Sequence, residues 1–393
     1  MNESETPNKS RRGGVIGGVL LIVVALALVV AGRSPGGLSF GFGGSDSDAT
    51  ASSGPGVTEV RGVIGSEKRP FFDDPEVEQR LKELGFNVSV ETSGSREIAE
   101  KQDLNAYDFA FPSSAPAAEK IKGKVAGSEQ FEPFYSPMAI ATFTPVVDVL
   151  TREGVVRDAG GTTVLDMNAY IDLAQSDKRW RDLGPEVASP RRVQISTTDI
   201  RTSNSAAMYL SILSWLFSER APEMKDNVDK LSGAIIPFFS GQGYTSSSSA
   251  GPFADYLSKG IGAAPMVMIY EAQYLGEAMR DTPRLHADSQ LVYPSPTVLA
   301  THTVVGFTEE GKNLGRALVE DATLQELAAR HGFRPNNSQV FADMMAEHSL
   351  TPPSDLADSI APPSYDRLED LITRVGVAYA GKPTTTMEED AHE

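Results

Sequence analysis

The sequence predicts an α/β protein of two lobes built on parallel β-sheet. Three observations lead there. Short alternating apolar runs are each followed by a polar turn and a stretch of helical periodicity, the pattern of βαβ units with right-handed crossovers. At 393 residues the chain exceeds one ordinary domain, so two lobes are expected. Successive apolar runs end in small hydroxyl residues and glycine, which leave room and donors at the carboxyl ends of strands, where such sheets hold ligands.

Residues 1–12 are polar and carry Lys9, Arg11 and Arg12, and no residue from Gly13 to Gly32 is charged. A helix of that length spans ~30 Å, the thickness of a bilayer core. Residues 13–32 are therefore expected to be a transmembrane anchor with residues 1–12 in the cytoplasm, since three basic residues precede it and Arg33 alone follows closely. A cleaved signal peptide is the alternative. It would need a shorter apolar region, roughly 7–15 residues, and a small-x-small site that Gly32-Arg33-Ser34-Pro35 does not supply. Residues 33–56, rich in Gly, Ser and Asp, read as a flexible linker with a reach of ~25–30 Å.

The folded part opens with a strand over Val57 to Ile64, the turn Gly65 to Lys68, and a helix through Val77, Leu81 and Leu84 closed by Gly85. Phe86, Val88 and Val90 form a second strand, Glu91 to Arg96 the next turn, and Ile98 and Ala99 a short helix. Tyr107 to Phe111 is a third strand, ending in Ser113 and Ser114. Met138 to Leu150 reads as extended and interrupted by Pro145, and Asp166 caps a helix to Trp180. Val193 and Ile195 mark a strand, followed by a hydroxyl-rich turn and a helix from Ala206 to Phe217 with one buried face, capped by Ser203 or Ser205. Further helices are expected at Pro222–Leu231, Pro252–Ser258, Lys312–His331 and Tyr365–Val375, a strand at Met266–Tyr270, and a proline-broken extended run at Gln290–Phe307. The tail from Lys382 is acidic and has no periodicity, so it is expected to be disordered.

Composition narrows the function. The formal charge of -18 disfavours nucleic acid and adhesion to anionic lipid heads. Without cysteine there is no disulfide, thiolate site, cysteine nucleophile or lipidated anchor. The five histidines are scattered, with no HxxxH or HExxH spacing, so neither a metal nor another cofactor is expected. No GxSxG elbow is present and no histidine neighbours a candidate nucleophile.

The candidate ligand-binding residues are those of the turns. Ser66 and Glu67 follow the first strand. Ser93, Gly94, Ser95 and Arg96 follow the second; Gly94 allows close backbone approach and the planar fork of Arg96 suits an oxyanion. Ser113 and Ser114 follow the third, and Thr197, Thr198, Asp199, Ser203, Asn204 and Ser205 lie in the long turn. Gln242 and Tyr244 lie beside glycines, and Glu271 follows the Met266–Tyr270 strand. Each serine turn reads equally as a capped helix start, and Ser246 to Ser249 reads as a mobile loop rather than a site. Should Glu67, Asp199 and Glu271 all face one crevice, an amine or cation would fit better than an anion, so the charge of the ligand stays open.

In their order and spacing, GSEK after the first strand, TSGSRE, YDFAFPSSAP, STTDIRTSNSAAMYL, YPSPTVLATHTVVGF and LAARHGFRP resemble the type 2 periplasmic binding-protein family, nearest its phosphate and molybdate binders. The resemblance runs from Val57 to about Ala346. It implies two lobes, each a mostly parallel sheet flanked by helices, joined by crossing strands at Met138–Leu150 and Leu291–Phe307. Residues 57–145 and 291–380 would form lobe one, residues 146–290 lobe two, and residues 381–393 the tail. The function it implies is capture of a small polar solute, an oxyanion or another, between lobes that close by a hinge. The partners would be that solute, the membrane through the anchor, and a transporter or signalling protein that reads the closed form. Two alternatives differ in class: a ligand-free interaction module on the same fold, and an unrecognised hydrolase.

Overall fold

The computed structural model describes residues 57–100, 103–242, 246–262, 264–354, 356 and 358–378. The expected cytoplasmic segment, anchor and linker, the 381–393 tail, and Tyr244 lie outside the described residues. Among the described residues no helix is long and apolar enough to cross a membrane.

Strands β1 (Thr58–Ile64), β2 (Phe86–Thr92) and β3 (Phe109–Phe111) form the parallel part of the first lobe, with Ile64 opposite both Thr92 and Phe111. The long β4 (Glu129–Phe143) belongs to both lobes. Glu129–Pro137 pairs with β9 (Thr297–Gly306) in the first lobe, and Met138–Phe143 pairs with β7 (Val267–Tyr270) and β8 (Ser289–Ser295) in the second. Beyond β8 lie β6 (Thr163–Asp166) and β5 (Val156–Asp158). Short β10 (Arg334–Pro335) joins β4, and β11 (Ser359–Ile360) joins β9.

The expected mostly parallel sheets are mixed instead. Pairings β3–β9, β9–β4, β4–β7, β4–β8 and β5–β6 are antiparallel. The physical reason is the crossing. The chain enters the second lobe along β4 and returns along β8 and β9, so these outgoing and returning strands lie side by side in opposite directions, while β5 and β6 form a hairpin within the second lobe.

Local chemistry explains the other departures. The extended run from Met138 stops at Phe143, and helix Thr144–Arg152 begins with Pro145 in its first turn, where the missing N–H is not needed. Val193 and Ile195 are buried but form no strand. The Ile195 N–H donates to the Tyr170 hydroxyl at 2.9 Å, and the flanking Arg192 and Ser196 make isolated bridges, to Arg179 and Val267. The Lys312–His331 stretch is two helices, Glu309–Glu320 and Ala322–Arg330, because the Asp321 carboxylate accepts from Leu324 N–H and starts a new one. Pro222–Met224 is a single 3-10 turn, and the helix that follows is Val228–Phe239.

The first lobe packs both faces of its sheet, as alternation along the strands dictates. Val60, Ile64, Phe109 and Phe111 face one core, while Val63 and Ala110 face another with Ile98 and Ile121. The second lobe is centred on helix Asn204–Arg220, which is buried on nearly every side rather than on one face; Trp215, at 41% exposure, and the closing Glu219 and Arg220 are the exposed positions. Helix Tyr365–Val377 lies in the stretch that the resemblance gives to lobe one, yet Leu368, Leu371, Ile372 and Val375 enter the second-lobe core.

Candidate functional site

After β1 the backbone turns at Gly65 into the 3-10 turn Ser66–Lys68, and helix Arg69–Phe72 follows at once, burying Phe71 and Phe72. This carries the Lys68 side chain inward, where it has no exposure. Its ammonium donates to Glu67 Oε1 at 2.5 Å, Ser113 Oγ at 2.9 Å and His302 Nδ1 at 3.1 Å, and sits 4.9 Å above the Phe111 ring. The Ser113 hydroxyl donates in turn to Glu67. Nδ1 of His302 lies nearer Lys68 than Glu67, which is 3.4 Å away, and an ammonium offers only donors. Nδ1 is therefore the acceptor and Nε2 carries the hydrogen, buried without a partner.

The charges follow from burial. Burial pulls the Lys68 pKa down, with Glu67 opposing it. Burial pushes Glu67 up, but the Lys68 charge beside it outweighs that and holds the carboxyl below its ordinary range. Burial, with Lys68 beside it, lowers His302 to about 4, so the imidazole is neutral at neutral pH.

The turn after β2 meets the second lobe. Ser93 N–H donates to Ile64 O at 2.9 Å and its hydroxyl to Glu97 at 3.0 Å. A Cβ at position 94 would run into the Thr202 carbonyl oxygen, so only glycine fits where the lobes touch. Ser95 Oγ accepts from Ser113 N–H at 2.8 Å. Arg96 does present its fork to a carboxylate, but that of Glu369 at 2.6 Å, and it also donates to the Arg201 carbonyl. Ser114 is buried at the N-cap of helix Ala115–Lys124 without a side-chain cap bond.

The second lobe brings its own turn to the same seam. Asn204 Nδ2 donates to Ser113 O at 3.0 Å and to the Tyr270 hydroxyl at 2.9 Å, tying Asn204 directly to the first lobe. Tyr270 stands edge-on to the His302 ring, 5.5 Å away. Ser203 holds the N-cap position of helix Asn204–Arg220, but its hydroxyl is turned from the cap to Ser205 at 3.1 Å, and Ser205 also meets Thr198 at 2.9 Å. Thr197 N–H donates to Gln242 Oε1 at 2.8 Å, and Asp199 N–H to Ser246 O at 2.9 Å. The hydroxyls of Thr197 and of Ser249, the N-cap of helix Ala250–Lys259, are buried with no partner. Ser66 and Glu67 line one side of a cleft of about 930 Å³ whose other side carries Phe253, Leu257, Gln273 and Arg280.

The chain superposes on the sulfate-binding protein SubI from Mycobacterium tuberculosis H37Rv over 76% of its length and 93% of that protein's, with a TM-score of 0.51 and 16% identity. It superposes on the substrate binding protein of an ABC transporter from Agrobacterium tumefaciens over 84% and 96%, with a TM-score of 0.53 and 16% identity. This chain has the type 2 periplasmic binding-protein fold. No family model and no curated protein matches its sequence.

Within this binding-protein fold the three carboxylates that complicate an anion site are all neutralised. Glu67 is paired with Lys68 and Asp199 with Arg201 at 2.5 Å. Glu271, fully buried, takes Arg334 at 2.6 and 2.7 Å and the Tyr293 hydroxyl at 2.6 Å. Those partners set Glu271 apart from the serine turns. Among the described residues no group of three or more His, Cys, Asp or Glu is placed to hold a metal ion. Sequence reasoning missed Lys68, Ser249, Tyr270 and His302 as members of the seam. His302 was detectable as a polar residue alternating into the buried β9 run, whereas nothing local marks the direction of Lys68.

Proposed function

We propose that this chain is a membrane-tethered extracytoplasmic solute-binding protein that closes its lobes on a small polar solute, with an oxyanion as the first candidate. Residues 13–32 would be the tether, and a transporter or a signalling partner would read the closed form. The observation that carries the reading is the pair of buried, unpartnered hydroxyls on Thr197 and Ser249, in second-lobe turns that reach the first lobe. Buried hydroxyls are normally satisfied, so two left open in turns whose neighbours Thr202, Asn204 and Ser247 meet the first lobe support a missing acceptor. The donors there are neutral and the nearby carboxylates are paired, which removes the repulsion an oxyanion would otherwise meet. That one neighbour is a sulfate-binding protein is consistent with this choice.

The test is a thermal-shift and calorimetric panel of sulfate, phosphate, molybdate, amino acids and polyamines. A ligand of the folded state alone must raise the melting temperature by mass action. One class is expected to do so, with the effect lost in Thr197→Val; a flat panel would reject the reading. A second reading, a ligand-free interaction module, is favoured by the Glu67–Lys68–Ser113–His302 cluster, whose members largely saturate one another. It predicts the flat panel. Fractionation of the full chain beside a form lacking residues 1–32 tests the tether: only the full chain should sediment with membranes.

A further inference from the structure

Helix Tyr365–Val377 touches both lobes, each with a different part of its length. Its opening faces the first lobe. The Tyr365 hydroxyl donates to Glu100 at 2.7 Å, the Lys120 ammonium lies 5.0 Å from the Tyr365 ring, and Glu369 pairs with Arg96 at 2.5 Å. The rest is seated in the second lobe. Leu368, Leu371, Ile372 and Val375 are buried in that core, Arg374 pairs with Asp229, and Gly376 lies against the stem of Arg201. Arg96 completes the join by donating to the Arg201 carbonyl, so one guanidinium fastens the first lobe to the helix and to the second lobe. Arg96 and Glu369 are 22% and 19% exposed, shielded from the water that weakens surface pairs.

The strands β4 and β8–β9 connect the lobes covalently; this helix connects them a second time, through side chains. We propose that the helix is a strap that holds the lobes together, and that they part when its opening turn releases Glu100, Lys120 and Arg96. The release falls at that end because four buried aliphatic side chains outweigh one ion pair, one hydrogen bond and the half-buried Tyr365 ring with Lys120 over it. The strap governs lobe separation with or without solute; its bearing on solute exchange rests on the function proposed above.

The chain has no cysteine, so Gln79→Cys in the first lobe and Arg157→Cys in the second, both exposed, accept a pair of spin labels. Inter-label distances are measured without solute in this parent and in Tyr365→Phe/Glu369→Gln. The long-distance population is expected to rise about tenfold in the variant. An unchanged distribution would overturn the strap. Should that variant fail to fold, Arg96→Glu alone and combined with Glu369→Arg carries the same test: the single change widens the distribution and the swap narrows it, and equal distributions would overturn the proposal. Because no solute is present, a widened distribution supports the strap even where the solute panel is flat, and an unwidened one overturns it even where a solute binds.

Discussion

In the first lobe the hydroxyls of Ser93, Ser95 and Ser113 all have partners within that lobe, whereas in the second Thr197 and Ser249 bury theirs with none. The residue types are alike, so identity alone does not decide which hydroxyl serves a ligand. A satisfied hydroxyl is scaffolding: Ser95 holds the Ser113 N–H, and Ser113 helps hold Lys68. A buried hydroxyl left open costs about 1–3 kcal/mol. The serine turns of the first lobe are thus complete, although Thr303 on β9 buries a hydroxyl and His302 its Nε2 without a partner there, and the second-lobe turns leave Thr197 and Ser249 open.

This contrast can be broken at several places. The largest effect is expected from Lys68→Met, which strands the Glu67 carboxylate in the interior; about 3–5 kcal/mol of stability should be lost, read as a fall in the urea midpoint. A midpoint within error of the parent would mean the first-lobe cluster is not structural. Next is acid sensitivity. His302 titrates near 4 when folded and near 6.5 when unfolded, so below about pH 6.5 the unfolded chain takes a proton that the folded chain refuses. Stability is whole above that point and falls toward pH 4; at about pH 5 the loss from this group is about 2 kcal/mol. Glu67, held ionised in the fold, extends the loss below the ordinary carboxylate range. His302→Gln should flatten the pH profile, and an equally steep profile would remove His302 as its cause.

Ser95→Ala comes third. It leaves the Ser113 N–H without its acceptor and should cost about 1–3 kcal/mol in chemical denaturation, with solute affinity changed far less than stability. The smallest stability effect belongs to Thr197→Val, within about 1 kcal/mol of the parent and of either sign, because no hydrogen bond is lost and an unpaired hydroxyl is removed. That same variant should abolish the thermal shift given by the bound solute. If Thr197→Val destabilises as Ser95→Ala does, the two lobes do not differ in the way described.

Elements set by near neighbours were legible in the chain. Asp166 caps its helix by accepting from Asn168 and Ala169 N–H, and Gly85 takes a φ of 91° beyond the helix that it closes. The turns that end β1, β2 and β3 were expected from alternation, the long turn from Ser196 follows no strand, and Asn204 and Gly94 bring the turns of the two lobes into contact. Less visible was anything set by distant partners. Arg96 carries a fork suited to a carboxylate or oxyanion, and nothing near it reveals that Glu369, 273 positions away, is the group it holds.

By itself the sequence determined the alternation of strands and helices, the hydroxyl turns and the caps, because these depend on side-chain period and on hydrogen bonds within a few residues. The tertiary structure alone decided which strands run antiparallel, that helix Asn204–Arg220 is enclosed, and that Glu67, Asp199 and Glu271 are each paired with a cation. It also decided which hydroxyls are left unpartnered. The reason is physical: burial and electrostatic pairing are properties of groups that meet in space, and folding brings them together from anywhere along the chain.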